Sequence, residues 1–333
     1  MKKPQKNKPK RHHYVQRAHA ELFANQKSQV QVISKDGKRF ETDPKNVFLE
    51  KYLYGFEVND EMDVTFEEAL SATESETFPA ILRIHESHAI REDDINLILN
   101  YLACAYLRNP VLRDGAYRTL DSGLRAFIQV AEQNGELPPV PEDIEAFGGK
   151  YLSQLIEENI IELNINNGFY LESFVRMLDN ILNLLRRFTI GVVVDENERF
   201  MLGDFPTPFL HPSLEPSVYG IPFGAGDCEL TFPVSPSVSL VLGWDGVPPC
   251  GAASDKLIEQ LNRRQIMFAR KHIVIKNGRG VAKKLANRYR QISLKMTMDD
   301  LPTPDGILNL GRKGLHPIPA ARAVWNDIQA ICN

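Results

Sequence analysis

Two adjacent histidines near the start of the chain, His12 and His13, are the residues best suited to chemistry. They follow Lys10 and Arg11 and precede the segment Tyr14–Val15. Histidine is the side chain whose charge changes near neutral pH, and it is the commonest metal ligand in proteins. Because neighbouring side chains of an extended segment point in opposite directions, we expect only one of the two to join any single cluster. The alternative is a surface or core histidine without a chemical role.

A second candidate is Asp204, which follows an apolar segment ending at Leu202 and stands between Gly203 and Pro206. Carboxylates at strand ends often serve as metal ligands or general bases, because the strand aims the group into a crevice. Asp204 could instead accept hydrogen bonds from backbone amides of its own turn. Both roles require that the carboxylate be held rigidly, so the spacing alone leaves the choice open.

Other side chains could surround such a site. Arg108 follows an apolar helix, where a cation suits the helix C-terminus and can bind an internal carboxylate or a phosphate. Glu67 and Glu74 lie two helical turns apart on one face, so they either line one groove or are solvated. Ser235 stands between two prolines without a G-x-S-x-G motif, which predicts a turn residue or a hydrogen-bond donor facing the same crevice.

Residues 1–17 are rich in Lys and Arg and contain no acidic residue, whereas the whole chain has a formal net charge of −4. We expect residues 1–17 to form a flexible arm that is either solvated or in contact with phosphate groups. A second cationic surface is predicted on a helix at 280–290, where two basic residues share one face. The candidate nucleic-acid-binding residues are Lys10, Arg11, Lys284 and Arg288.

The composition is that of an ordinary globular protein, with 43% hydrophobic and 25% charged residues in a chain of 333. No apolar run is long enough to span a bilayer, so we expect no membrane partner. The basic N-terminal residues are not followed by the apolar region of a secretory signal. The four cysteines are scattered without a C-x-x-C pair, which disfavours a zinc ribbon or a disulfide framework and favours a cytoplasmic location.

The elements that must position these residues are mainly helical in the first half of the chain. Alternating apolar residues predict a short hairpin that turns at Asp36-Gly37. Apolar residues at helical spacing then predict five helices, and proline is expected to kink the first and to end the second. These helices cover residues 64–85, 92–107, 112–133, 142–158 and 168–187.

The second half of the chain is mixed. The β-branched run 188–194 and the segment 199–202 predict an antiparallel hairpin. Further strands are predicted at 228–232, 238–243 and 273–275, and further helices at 256–272, 280–290 and 320–331. We therefore predict an α+β fold, in which a helical N-terminal half packs on a small, mainly antiparallel sheet from the C-terminal half. Residues 18–295 are predicted to form one domain, and 296–333 a Pro/Gly-rich appendage ending in a short helix.

Taken in order, several short motifs resemble a bacterial and fungal domain of unknown function whose members open with a signature close to H-H-Y-V-P. The corresponding segments here are His12–Val15, Asp43–Val47, Arg108–Pro110, Leu202–Pro206, Phe232–Pro236 and Leu261-Asn262. Gln16 replaces the signature proline, and Gly203 and Phe205 replace the serine and asparagine that flank the aspartate. The resemblance covers roughly residues 10–290. It implies one integrated domain with a joint site, and it implies no particular reaction.

The sequence therefore predicts a crevice that joins one histidine of the pair with Arg108, Asp204 and Ser235. We expect a metal-assisted hydrolase acting on nucleic acid, in which His12 or His13 and Asp204 hold a divalent ion and Arg108 stabilises phosphate charge. The alternative is a non-catalytic module that binds nucleic acid, in which the histidines and Asp204 are structural. A third hypothesis is a module that binds a protein partner.

Overall fold

The computed structural model describes residues 11–51, 53–54, 56–58, 61–63, 65–144, 146–165, 167–210, 228–244, 251–276, 284, 286–288, 292–303 and 306–317. The predicted α+β fold is confirmed: helices dominate the N-terminal half, and the C-terminal half supplies most of the antiparallel sheet. Among the described residues, no helix is both long and apolar enough to cross a membrane.

The helices are α1 (Arg17–Glu21), α2 (Thr65–Ser87), α3 (Ile95–Leu107), α4 (Pro110–Gln133), α5 (Leu152–Glu157), α6 (Asn167–Leu185) and α7 (Asp255–Phe268). The corner between α3 and α4 has a clear local cause. The Asn109 side chain accepts a hydrogen bond from the Val111 N–H at 2.9 Å, and Pro110 occupies the first helical position. Both residues suit a helix N-terminus, so the proline that ends α3 also begins α4.

The strands are β1 (Arg11–His13), β2 (Val30–Ser34), β3 (Arg39–Thr42), β4 (Leu49–Lys51), β5 (Phe56–Val58), β6 (Glu61–Asp63), β7 (Thr189–Val194), β8 (Leu202–Gly203), β9 (Phe209–Leu210), β10 (Glu229–Ser235), β11 (Val238–Gly243), β12 (Gly251–Ala252), β13 (His272–Ile275), β14 (Ile292–Thr303) and β15 (Gly306–Pro317). A five-stranded sheet has the order β12-β7-β11-β10-β9, and a four-stranded sheet has the order β3-β2-β13-β8. All neighbours in these sheets are antiparallel except β12 and β7.

The apolar core lies between these sheets and the helices. α3 is buried along almost its whole length, from Ile98 to Leu107, and it packs against α2 and α6. Aromatic side chains of the five-stranded sheet join the same core, including Phe232 of β10. α3 therefore lies in the middle of the core, and the close packing around it fixes the position of the residues at its C-terminal end.

The predicted hairpin between residues 188–194 and 199–202 is wrong. β7 pairs with β11 and β12, whereas β8 pairs with β13 in the other sheet. The Met201 N–H donates to the Asn262 side chain of α7 at 2.9 Å, and the Phe200 N–H donates to the Pro236 carbonyl at 3.0 Å. Residues distant in sequence thus accept the backbone hydrogen bonds of residues 200–201, and β7 pairs with β11 instead.

Three predicted helices also differ from the structure. The helix expected at 142–158 is reduced to α5, because the preceding loop is closed by a backbone hydrogen bond from Val140 to Lys150 at 2.9 Å. α7 ends at Phe268 and not at residue 272, where the chain turns into β13. Of the helix predicted at 280–290, only Lys284 and 286–288 are described, in helical conformation, and the helix predicted at 320–331 lies outside the described residues.

The prediction that residues 1–17 form a flexible arm is wrong for residues 11–17. β1 pairs with β4 in register from Arg11 opposite Lys51 to His13 opposite Leu49, and α1 begins at Arg17. The reason is that β1 inserts a buried histidine into the body of the protein. Residues 1–10, which include Lys10, lie outside the part of the chain that the structure describes. At the other end, β14 and β15 form a long hairpin that begins at Ile292, before the predicted start of the appendage at residue 296.

Candidate functional site

The two histidines of β1 have different environments, as the alternation of a strand requires. His12 is fully buried, its Nδ1 accepts the Tyr54 N–H at 3.0 Å, and the two rings stack with centroids 5.7 Å apart. His13 points to the opposite side of β1 and is half-buried. Its Nε2 is buried and has no hydrogen-bond partner among the described residues. His12 is therefore a core residue, while His13 has an unused polar atom.

Arg108, at the C-terminal end of α3, is buried beside His13. Its guanidinium forms an ion pair with Glu74 and donates a hydrogen bond to the His13 carbonyl. The Tyr54 hydroxyl donates to the Arg108 carbonyl at 3.2 Å, so the same tyrosine contacts both His12 and the end of α3. Burial lowers the pKa of Arg108, but Glu74, Tyr54 and Tyr101 together raise it, so the guanidinium keeps its charge.

Glu67 and Glu74, two turns apart on α2, both lie beside this arginine. Burial raises the pKa of Glu67 to about 7; Arg108 opposes that rise and Glu74 adds to it. Burial also lowers the pKa of His13, against a backbone hydrogen bond with Lys45. At neutral pH, Glu67 is therefore partly protonated and His13 is neutral. The spacing of the two glutamates left open a shared groove or a solvated face, and their common position beside Arg108 agrees with the first alternative.

We call His13, Glu67, Glu74 and Arg108 the His13 cluster. It holds a neutral imidazole, a carboxyl group that titrates near neutral pH, and an ion pair that is largely removed from water. These groups can accept one proton, donate another and stabilise negative charge, which are the elements of acid–base catalysis. Arg11 lies on the same side of β1 as His13 and is exposed, so its cation stands at the rim of the cluster.

Asp204 lies in a separate group of hydrogen bonds, which we call the Asp204 cluster. Its carboxylate accepts the N–H groups of Arg270 at 2.6 Å, Lys271 at 2.7 Å and His272 at 3.0 Å. Its own N–H donates to the His272 carbonyl at 3.1 Å, and its carbonyl accepts from the Asn109 side chain at 2.8 Å. Burial raises the pKa of the Asp204 carboxyl, and the three amide donors act in the opposite direction. The carboxylate thus fixes the turn between α7 and β13.

The structure therefore brings together only part of the predicted crevice. Arg108 contacts His13, and its neighbour Asn109 contacts Asp204, so the α3–α4 corner joins the two clusters. Ser235 is buried at the end of β10, where its hydroxyl lies 3.2 Å from that of Ser237, and no described hydrogen bond links it to either cluster. The roles predicted for Arg108, Asp204 and Ser235 in catalysis stay predictions.

The metal site predicted for His12, His13 and Asp204 has no geometric support. In the described ranges, no group of three or more His, Cys, Asp or Glu side chains is arranged to hold a metal ion. His12 accepts a backbone N–H, and both oxygens of Asp204 accept backbone N–H groups. These residues therefore do not fit a divalent ion, and we assign no step to one.

The predicted nucleic-acid contacts lie in two places. Arg11 is exposed and donates to the Asn46 side chain at 3.4 Å. Lys284 and Arg288 are also exposed, and the neighbouring Asn287 accepts a hydrogen bond from Arg39 at 2.8 Å. The second basic surface therefore lies against β3. Binding of nucleic acid by these residues stays a prediction.

Sequence reasoning missed Tyr54, which contacts His12 through its backbone N–H and Arg108 through its hydroxyl. No motif marked this tyrosine. It also missed Asn109, although the polar residue before Pro110 matched a helix N-cap and could have been found by that signal. Both residues hold functional candidates in place.

Comparison with protein families gives one result. A family model described as "Protein of unknown function (DUF4238)" matches residues 11–279. The chain belongs to the DUF4238 family. The predicted resemblance to a domain of unknown function is thereby confirmed, and the matched region of this DUF4238 protein includes both the His13 cluster and the Asp204 cluster. No curated protein and no solved structure matches the chain.

Proposed function

We propose that this protein hydrolyses or transesterifies phosphodiester bonds in nucleic acid, and that the His13 cluster supplies its acid–base groups. The observation that supports this proposal is the buried guanidinium of Arg108, which pairs with Glu74, donates to the His13 carbonyl and acts electrostatically on both His13 and Glu67. Perturbed carboxyl and imidazole groups gathered at one place are typical of catalytic sites. Asp204 has no part in the chemistry proposed here.

The two titrating groups have complementary roles. His13 is neutral near pH 7, and its buried Nε2 has no partner among the described residues, so this atom can take a proton from the attacking hydroxyl once the substrate gains access to it. Because burial raises the pKa of Glu67 to about 7, this carboxyl is still partly protonated at neutral pH and can give its proton to the leaving oxygen. Each such transfer contributes on the order of 10²–10⁴ to the rate. Arg108 balances the negative charge of Glu74 and of the phosphate in the transition state.

The choice of nucleic acid rests on charge at the rim. Arg11 is exposed beside His13, and residues 1–10 add further lysines immediately before it in the sequence. Cations next to a catalytic group attract phosphates, and their binding releases the counterions that surround a nucleic acid, which favours a polyanionic substrate. The cluster itself has little net charge because Glu74 offsets Arg108, so a rim cation is needed to bring the phosphate close.

A second candidate function is a non-catalytic nucleic-acid-binding module. It is favoured by the structural roles of His12 and Asp204, whose polar atoms are occupied by backbone N–H groups. In that case the rim cations bind phosphate and the His13 cluster only fastens β1 to α2 and α3. The two functions differ in whether bound nucleic acid is cut.

The test compares four proteins purified in parallel: the unaltered chain, His13→Gln, Glu67→Gln and Glu68→Gln. Each is incubated with end-labelled single-stranded RNA and DNA, with and without a chelator. We expect His13→Gln and Glu67→Gln to cleave on the order of 10²–10⁴ times more slowly than the unaltered protein. Glu68 is exposed next to Glu67 in the sequence, and its replacement should leave the rate within about twofold.

Retention of nucleic acid without cleavage by the unaltered protein would favour the binding module. Cleavage at equal rates by all four proteins would show that the His13 cluster is not the site. If the unaltered protein neither binds nor cuts either nucleic acid, both functions are wrong.

A further inference from the structure

We infer that two copies of this protein associate through α4, with Phe127 of each copy packed on Gly123 of the other. The surface involved belongs to neither the His13 cluster nor the Asp204 cluster, and the dimer is independent of the proposed function. Three features of α4 support it: an uncovered apolar stripe, an open space at Gly123, and the placement of the charged residues of the helix.

The exposed apolar side chains are concentrated in one part of the fold. Among the described residues, all the large apolar side chains that are exposed lie between residues 124 and 177, except Phe40. Phe127 and Val130 of α4 are 64% and 49% exposed, although β14 and β15 also contact this helix. Apolar areas of this kind on a protein surface are typical of sites that bind another protein.

The exposed apolar residues of α4 have the spacing of a coiled-coil helix. We call them the α4 stripe, and they recur at intervals of three, four and three residues: Leu120, Gly123, Phe127 and Val130. This spacing keeps them on one side of the helix, where they can pack between the side chains of a second helix. Ile128 and Ala131, on the adjacent side of α4, are buried. The apolar surface of α4 is therefore wider than the part that the protein itself covers.

Gly123 leaves a gap in the α4 stripe. A Cβ atom placed on Gly123 would meet no atom of the described part of the chain within 4 Å, so Phe127, one turn further along the same helix, does not fill the gap.

An antiparallel pair of α4 helices would fill this gap. Positions 123 and 127, and also 120 and 130, are centred on residue 125. A two-fold axis at that residue therefore sets Phe127 of one copy opposite Gly123 of the other, and Leu120 opposite Val130. The largest side chain of the stripe meets the smallest residue, and symmetry makes each contact twice.

The charges of α4 favour a second copy over other partners. The positions that flank the α4 stripe carry no charge: Tyr117, Thr119, Leu124, Ala126, Ala131 and Gln133. Asp121 and Arg125 lie on the far side of the helix and pair with each other at 2.8 Å. A lipid surface or a nucleic acid would require basic residues beside the stripe. A second α4 presents an equally uncharged surface, so the pair buries no charge and creates no like-charge repulsion.

Sedimentation equilibrium of the full chain tests the dimer. The α4 stripe spans about 16 Å of helix, which is short for a standard interface of about 800 Å² on each partner. We therefore expect a dissociation constant on the order of 1–100 µM. Phe127→Glu places a charge between the helices and should weaken the dimer at least about 30-fold. Val175 is 58% exposed on α6, and the control variant Val175→Glu should change the dissociation constant by less than about twofold.

Gly123→Leu separates loss of the dimer from loss of folding. The leucine would occupy the space that Phe127 of the second copy needs, and the dimer should weaken at least about 30-fold. Leucine favours a helix more than glycine does, and its side chain has room in the monomer, so the melting temperature of the monomer should rise.

Cysteine cross-linking tests the register of the two helices. A mixture of Gly123→Cys and Phe127→Cys proteins should form a covalent dimer under mild oxidation, because these positions face each other across the pair. A mixture of Gly123→Cys with Gln129→Cys should give no more covalent dimer than the unaltered protein, since Gln129 is exposed on the far side of α4.

Two results would overturn the inference. A monomer at every concentration up to about 300 µM would show that α4 does not pair with itself, and would leave this surface for a different protein. A dimer that Phe127→Glu leaves intact, or that cross-links equally well through Gln129→Cys, would place the contact elsewhere on the protein.

Discussion

The Asp204 cluster and the His13 cluster meet at the α3–α4 corner, yet they use their polar groups in opposite ways. The Asp204 carboxylate accepts three backbone N–H groups and is buried with its hydrogen bonds made. In the His13 cluster, His13 Nε2 and Arg108 Nε are buried without hydrogen-bond partners in the part of the chain described. At this corner, Arg108 donates a hydrogen bond to the His13 carbonyl, and the next residue, Asn109, donates one to the Asp204 carbonyl.

The Asp204 carboxylate stabilises the fold, whereas burial of the polar groups of the His13 cluster costs stability. A buried carboxylate with its acceptor positions filled stabilises its surroundings, because its loss would leave several donors unpaired. A half-buried carboxyl next to a second carboxylate is disfavoured in its charged form. Such groups are expected where a protein gives up stability for function. Substitution of Asp204 should therefore lower the free energy of unfolding, whereas substitution of Glu67 should raise it above the pKa of that carboxyl.

The largest effect is expected at Asp204. Asp204→Ala removes the acceptor of three N–H groups and should lower the free energy of unfolding by about 3–5 kcal/mol. Urea denaturation measures the change, and Asp204→Asn serves as the matched variant because its amide oxygen can still accept one or two of these bonds. A loss below about 1 kcal/mol for Asp204→Ala would contradict the structural role of this carboxylate.

A smaller loss is expected from breaking the Arg108–Glu74 ion pair. Arg108→Met leaves Glu74 beside apolar groups, and we expect a loss of about 2–4 kcal/mol, since a partly exposed partner retains some solvation. The double variant Arg108→Met, Glu74→Gln should lose less than the sum of the two single variants, by about 1–3 kcal/mol. Additive losses in urea denaturation would show that the two side chains do not interact in solution.

Much of the fold followed from local pattern. The apolar spacing predicted α3, α4 and α6 to within a few residues, because each buries one continuous face. Val175 of α6 is an exception: it lies in the apolar pattern of the helix, next to the buried Phe174, and is 58% exposed. The hairpin at 188–202 failed because the partners of both strands, β11 and β13, lie far along the chain. Local pattern has no information about such pairing.

In the candidate site, too, local pattern predicted some features, and contacts between distant residues determined the others. Strand alternation was enough to separate His12 from His13, and the seven-residue spacing was enough to place Glu67 and Glu74 on one face. The surroundings of Asp204 could not be predicted, because its acceptor atoms are filled by amides 66 to 68 residues later in the chain. An aspartate at a strand end has the same local sequence whether its carboxylate is occupied or open.

The smallest effect, and the one of opposite sign, is expected at Glu67. Its pKa is about 7 in the folded protein and 4.5 in the unfolded chain. As pH rises from 4.5 to 7 the unfolded state ionises first, so the free energy of unfolding falls over this range and stays lowered above pH 7. Glu67→Gln removes this dependence. After allowance for partial exposure, the variant should be more stable than the unaltered protein by about 1–2 kcal/mol at pH 8, and equal to it near pH 4. Glu68→Gln should show no such pH-dependent difference in urea denaturation, and a Glu67→Gln variant that is less stable at pH 8 would place Glu67 with Asp204 among the residues that hold the fold.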